Sequence, residues 1–333
     1  MNIKKIGLSA LAGSLAMVSA NAVELAVSGK TEVTYMSKEL ASTGNPFGMG
    51  NAITFSGSGD VNGLGTATYT AVLGDQGQAS TTTSETFASA SLMLDMGDMG
   101  TVGFDQGVGE FGVDTIDDKM PYAYEEIWTY VGGTTSLRAR GGTNSNVFGY
   151  KNTLMGYTLS VEIDPGQGTG NSGDGGATGA GTTVNGGYNW ALTGSPSDGV
   201  NVGIGHGNED NSYTAGSDAS YSTGFVTYAF GGATVGYQMS EGRGGSANAI
   251  ATDTTLYGVS FAINENIAVS YNEMETDFDD STTTSDEKTS GFGASYTMGS
   301  AALRVLTADI SNKGGKAGSK DETITEVSLL LAF

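Results

Sequence analysis

From Leu25 onward the chain repeats one pattern: apolar and polar residues alternate with period two, in short runs separated by polar connections. Leu25, Val27, Val33 and Tyr35 share one parity, while Ser28, Lys30, Glu32 and Thr34 share the other. The same alternation recurs at Tyr157/Leu159/Val161/Ile163, Val235/Tyr237/Met239, Tyr257/Val259/Phe261, Phe292/Ala294/Tyr296 and Val327/Leu329/Leu331/Phe333. A helix would space its apolar positions three and four apart, so the pattern predicts strands, each with one apolar face. No apolar run after residue 22 approaches the ~18 residues that a membrane helix needs, which excludes helical spanning. Alternation alone is equally compatible with a soluble sandwich.

The connections separate the two architectures. Sixteen strand-like segments fall at about 25–36, 51–60, 66–73, 85–95, 101–106, 137–152, 155–163, 184–193, 199–208, 217–230, 232–241, 252–263, 266–275, 288–298, 300–310 and 323–333. Connections after odd members are long and polar (37–50, 107–136, 164–183, 276–287, 311–322), whereas most of those after even members are short: Asn62-Gly63-Leu64, Thr153-Leu154, Gly231, Asn264-Glu265 and Gly299. A sandwich has no reason to sort its loops this way; a transmembrane barrel with short periplasmic turns and long external loops does. Arg138–Arg140 and Val147–Lys151 look like two runs, and only their merger into one strand gives an even number; fourteen or eighteen strands are the alternatives. In lipid every backbone N–H and C=O must find a partner, so the sheet has to close on itself. Sixteen strands enclose an aqueous lumen, and the expected inner face is wet and lined mainly by Ser, Thr and Gly.

Composition agrees. Hydrophobic residues are 38% of the chain, and there are 54 Gly, yet 15 Tyr and 12 Phe are too many for a disordered polymer. Tyr35, Tyr69, Trp128, Tyr157, Trp190, Tyr237, Tyr271, Tyr296 and Phe333 fall near predicted strand ends, where aromatic girdles would lie. The absence of Cys excludes disulfides, Cys-ligated metals and thiol catalysis, and a single His, His206, speaks against a Ser-His triad. The expectation is that this is not an enzyme; His206 is read as a surface residue. With 36 acidic against 14 basic side chains and a formal charge of -22, nucleic acid is not an expected partner. The first 22 residues carry Lys4 and Lys5, an apolar stretch from Ile6 to Val18 and then Ala20-Asn21-Ala22, which predicts a secretory signal over 1–22 and a mature domain over 23–333.

Two stretches carry a family likeness. Glu326-Val-Ser-Leu-Leu-Leu-Ala-Phe333 resembles the C-terminal signature of outer-membrane barrels, in which Val327, Leu329, Leu331 and Phe333 would form the signal read by the barrel assembly machinery. Gly109-Glu-Phe-Gly-Val-Asp114, Arg140-Gly-Gly-Thr-Asn-Ser-Asn-Val-Phe-Gly-Tyr150 and Gly156-Tyr-Thr-Leu-Ser-Val161 are similar to the inward-folded third loop and following strand of Gram-negative general diffusion porins. The resemblance implies a homotrimer of sixteen-stranded barrels in outer-membrane lipid, each passing small hydrophilic solutes through its own pore. This loop departs from better-known members in its Gly and Met content and its fewer basic wall residues.

Seven acids (Asp105, Glu110, Asp114, Asp117, Asp118, Glu125, Glu126) and one base, Lys119, lie between residues 105 and 126, whereas Arg138, Arg140 and Lys151 are the only charges from 127 to 161. If the loop faces the strand bearing the arginines, the segregated signs set up a transverse field across the narrowest point. An arginine facing lipid costs roughly 2–4 kcal/mol at the midplane, so Arg138, Arg140 and Arg304 are assigned to the lumen wall, with Lys30, Glu32, Glu162 and Glu326, the last two near strand ends. The excess of acids predicts a weak cation preference. Asp277, Asp279 and Asp280, or Asp114, Asp117 and Asp118, are weak candidates for structural Ca²⁺; neither set has EF-hand spacing, and no other cofactor is expected. The competing readings are a substrate-specific channel, such as one for sugars, which would show a ladder of lumenal aromatics, and a secreted or surface-displayed all-β adhesin.

Overall fold

The computed structural model describes residues 25–40, 44–74, 89–117, 119–127, 145–165, 186–209, 218–244, 251–279 and 285–333. These hold sixteen strands: β1 (Ala26–Lys38), β2 (Phe47–Asp60), β3 (Thr66–Leu73), β4 (Ser89–Asp95), β5 (Thr101–Gln106), β6 (Ser145–Leu154), β7 (Tyr157–Asp164), β8 (Gly187–Ser197), β9 (Val200–Glu209), β10 (Ala219–Phe230), β11 (Ala233–Arg243), β12 (Ala251–Ala262), β13 (Ile267–Asp279), β14 (Glu287–Met298), β15 (Ala301–Ser311) and β16 (Glu322–Ala332). Each pairs antiparallel with the next, and β1 pairs with β16, so the sheet closes into a barrel without edges. Closure is completed by the last residue: Phe333 N donates to Gly29 O at 2.9 Å, Gly29 N donates to Phe333 O at 2.7 Å, and the Phe333 ring covers Gly29.

The two faces separate as the alternation requires. Exposed large apolar side chains, among them Leu25, Val27, Leu92, Phe148, Ile163, Ile204, Tyr257, Phe292 and Leu329, occupy one parity of each strand, and cross-strand aromatic pairs such as Tyr35–Phe47, Tyr237–Tyr257 and Tyr271–Phe292 lie among them. The opposite parity carries Ser160, Asn189, Gln238, Ser270, Asn272 and Ser328, all buried.

Several expectations need correction. The turn between β6 and β7 is Met155-Gly156, both with positive φ, and not Thr153-Leu154; two left-handed residues give the tight hairpin whose twist matches the strands. Strands run further at the long-loop ends than the apolar alternation suggested: β13 reaches Asp279 and β2 starts at Phe47. Backbone pairing continues there after the apolar signal has ended. Glu326 lies in the middle of β16, paired with Met36 and Leu306, rather than near a strand end. The inner face is also less uniformly wet than expected, because Leu256, Met274, Ile310 and Ile324 form a buried cluster with Met120. Residues 1–22, Trp128, Arg138, Arg140 and the first half of the merged sixth segment lie outside the described residues.

Candidate functional site

The site starts where β5 ends. Pairing with β6 shifts register between Asp105 and Gln106, and the buried Asp105 carboxylate accepts from Val108 N and from Glu110 N, each at 2.7 Å. Two backbone donors held by one side chain turn the chain off the strand. Residues 111–117 and 119–127 then lie against the barrel wall and touch β5 to β9 first and β11 to β14 afterwards.

From Phe111 to Ile116 the direct ties are uncharged groups. Phe111 packs on Gly103 and Gly149, Gly112 N donates to Ser160 Oγ at 2.8 Å, and Val113 N donates to Asn189 Oδ1 at 2.9 Å. Asn189 Nδ2 in turn donates to Glu162 Oε1 at 3.0 Å. A 3-10 turn, Gly112–Thr115, closes this part, and Val113 and Ile116 sit over Gly205. Gln238 clamps the middle: its Nε2 donates to Ile116 O at 3.1 Å, and its Oε1 accepts from Lys119 N at 3.3 Å.

The far part begins with Met120 and Pro121, which lie over Gly236 and Gly258, while Asn272 Nδ2 donates to Pro121 O at 3.0 Å and Ala123 N donates to Ser270 Oγ at 2.9 Å. Ile127 packs on Gly291. Tyr124 reaches the closing seam of the barrel, its hydroxyl 2.7 Å from Glu326 Oε1 and 3.1 Å from Glu32 Oε1. Arg304 completes the group: Nη2 donates to Glu32 at 2.5 Å, Nε donates to Ser328 Oγ at 3.1 Å, and the guanidinium lies 4.5 Å from the Tyr124 ring centroid. Burial, then repulsion from Glu326 and Glu32, pushes the Glu125 carboxyl up to about 7, and burial raises the Tyr124 phenol well above its ordinary range.

The structure therefore gathers some of the sequence-derived residues and leaves others apart. Lys151 is not opposite the acidic segment but on it, with Nζ 2.9 Å from Glu110 Oε2 and 5.5 Å from the Phe111 ring centroid. Arg304 is likewise held by an acid beside the segment. Among the described residues, then, these two wall cations do not face the acids across the lumen; each is neutralised where it stands. Lys30 is exposed on β1, Asp114, Asp117, Lys119, Glu125 and Glu126 are half-buried on the segment, and Asp118 lies outside the described residues with Arg138 and Arg140. Asp277 and Asp279 are strand residues on β13 rather than loop residues, Asp280 lies outside the described residues, and no three carboxylate or imidazole groups come together to hold a metal among the described ones. His206 Nδ1 lies 3.0 Å from Ser222 Oγ.

Sequence reasoning missed the surface that receives the segment. Gly103, Gly149, Gly205, Gly236, Gly258 and Gly291 each lie under one of its side chains, and a Cβ at any of them would fall inside van der Waals contact. Their signal was available: glycine inside a strand sacrifices packing and order, and marks a place where something approaches closely. Asn189, Gln238 and Asn272, amides at the polar parity, marked the same line.

Residues 7–315 match the family model described as Gram-negative porin. No curated sequence matches the chain significantly. Among solved structures the chain resembles a porin refined at high resolution, with 16% identity over 93% of this chain and 100% of that one and a TM-score of 0.66. It also resembles a variant of the Rh. blastica porin, at 15% identity, with 93% and 100% covered and a TM-score of 0.63. For the anion-selective porin from Comamonas acidovorans the values are 16%, 93% and 99%, and 0.62.

Proposed function

The chain belongs to the Gram-negative porin family, an outer-membrane diffusion channel on a closed sixteen-strand barrel, and from that premise we propose that residues 107–127 are its inward-folded constriction and that it prefers cations weakly. The supporting observation is the series of contacts that the described residues between Phe111 and Ile127 make with the polar-parity face of β5 to β9 and of β11 to β14. A segment fixed to that face takes up cross-section that water and solutes would otherwise use. Lys151 and Arg304 are each paired with a carboxylate. The remaining acids of the segment then set the sign of the local potential, which concentrates cations and depletes anions. Porins are channels, and passage here needs no chemical step.

The same reading assigns residues 1–22 as the export signal, Val327, Leu329, Leu331 and Phe333 as the assembly signal, and the homotrimer as the working state. Support for the assembly signal is the outward parity of Leu329 and Leu331 and the pairing of Phe333 with Gly29 at the seam. Refolding the chain from Val23 into a planar bilayer and measuring reversal potential under a salt gradient tests the proposal. Persistent conductance steps with a cation-favouring reversal potential are expected, and Asp117→Lys with Asp118→Lys should shift that potential toward anions. An unchanged potential in the double variant would remove the segment from the constriction.

A further inference from the structure

A depression of about 490 Å³ opens between the segment and the ends of β6 to β10 that lead into the short connections. Phe225 is among its lining residues and also packs against the Met120 cluster. Thr158, Ser160, Thr193, Thr227 and Asn201 also line it, with hydroxyl and amide side chains. Glu110, Lys151 and Lys119 line its segment side.

Hydroxyl, amide and ammonium groups outnumber carboxylates in this lining. Ser160 Oγ accepts from Gly112 N, which leaves its proton able to donate. Asn201 Oδ1 accepts from Ser195 Oγ at 2.6 Å, which leaves the Asn201 NH₂ group as the open end of that side chain. Glu110 is engaged by Lys151, whereas Lys119 Nζ forms no ion pair among the described residues. The lining thus holds two ammonium groups against one carboxylate, an excess of one positive charge inside a chain of formal charge -22. An acidic channel has no need of that for cation passage.

We propose that this depression is a reversible binding subsite for a polyhydroxylated monocarboxylate of monosaccharide size, such as a sugar acid. Lys119 takes the carboxylate, the hydroxyl and amide donors take ring oxygens, and Phe225 supports the apolar C–H face of the ring. A single uncompensated ammonium suits a monoanion better than a dianion. The volume falls within the roughly 300–1,000 Å³ typical of small-molecule sites. The inference rests on the channel reading for delivery of the solute, while binding itself is measurable without any current.

The test is isothermal titration of the full chain from Val23, refolded in detergent, with D-glucuronate, D-glucose and acetate, followed by salt conductance of the same preparation in bilayers. Saturable glucuronate binding about tenfold tighter than glucose binding is expected, with acetate weaker than either. Lys119→Gln should erase the preference for glucuronate over glucose. Phe225→Leu, which keeps the charge, should weaken both sugars alike and leave the preference in place. Equal binding of glucuronate and glucose by the unsubstituted chain, no saturable binding, or a preference that survives Lys119→Gln would each overturn the subsite. A preparation that conducts salt yet ignores glucuronate refutes only the subsite; one that binds glucuronate but passes no current refutes only the channel reading.

Discussion

The two ends of the segment are fastened by different physics. Around Phe111–Ile116 the direct contacts are dry packing and neutral hydrogen bonds: Phe111, Val113 and Ile116 are 0% exposed, and the backbone donates to Ser160 and Asn189, with charge one step removed at Glu162 behind Asn189 and at Lys151 over the Phe111 ring. Around Tyr124 the fastening is a phenol between Glu32 and Glu326, with Arg304 over its ring and Glu125 close by. Neutral buried hydrogen bonds and packing respond little to pH or salt, whereas a group of carboxylates around one guanidinium responds to both. One end is therefore a fixed hinge, and the other is a fastening whose strength follows proton concentration.

The strongest way to break this contrast is Phe111→Ala. Emptying a fully buried aromatic site costs about 3–5 kcal/mol, and here it also frees Gly103 and Gly149 from their cover. A clear fall of the thermal midpoint in detergent is expected, by the same amount at pH 6 and pH 8. A loss that grew or shrank between those pH values would show that the near end shares the electrostatics of the far end.

How much of this was legible beforehand follows from what each signal encodes. Period-two alternation reports which face meets lipid, so the sixteen strands and the outward parity of Tyr257, Phe292 and Leu329 were readable. It reports nothing about what lies on the inner face, and the expectation of Ser, Thr and Gly there missed Leu256, Met274 and Ile310, which are apolar because the wall around Met120 never meets water. The acids of the segment were readable as a cluster, but charge counting cannot tell a cation across a lumen from one beside its acid. Lys151 proved to stand beside Glu110: the pairing sets Lys151 opposite Thr101 at the start of β5, and the segment, after leaving β5 at Gln106, brings the Glu110 carboxylate to within 2.9 Å of its ammonium.

Tyr124→Phe should come second in size. It removes a hydroxyl shared by two carboxylates while the ring stays under Arg304, and losing hydrogen bonds to charged partners costs about 1–3 kcal/mol. Thermal unfolding at pH 8 reads the loss. If the far end were held by packing of Met120 and Ile127 alone, the variant would unfold with the unsubstituted chain.

Glu125→Gln sharpens the same point through pH. The Glu125 carboxyl has an ordinary value of 4.5 and stands at about 7 in the folded chain. Between those values the folded state holds a proton that the unfolded state has released, so this group's contribution to stability is full below about pH 4.5, declines as pH rises, and is gone above about pH 7. Acidification from pH 8 to pH 6 should thus tighten the far end and lower cation preference by removing one negative charge. Reversal potentials across that range should drift toward neutral in the unsubstituted chain, and Glu125→Gln should lack the part of that drift centred near pH 7.

The smallest effect belongs to the ion pair at the hinge. Glu110 and Lys151 are each 33% exposed and 2.9 Å apart, and exposed pairs of this kind contribute roughly 0–1 kcal/mol. Glu110→Gln should barely move the thermal midpoint, because Phe111 and the backbone bonds to Ser160 and Asn189 hold the hinge without it. Selectivity should respond more, since the substitution leaves Lys151 uncompensated and places a positive charge where the pair was neutral. A reversal potential displaced toward anions at low salt, and returning at high salt as screening sets in, would separate what fixes the segment from what sets its field. If stability fell by several kcal/mol instead, the hinge would be electrostatic after all, and the contrast between the two ends would disappear.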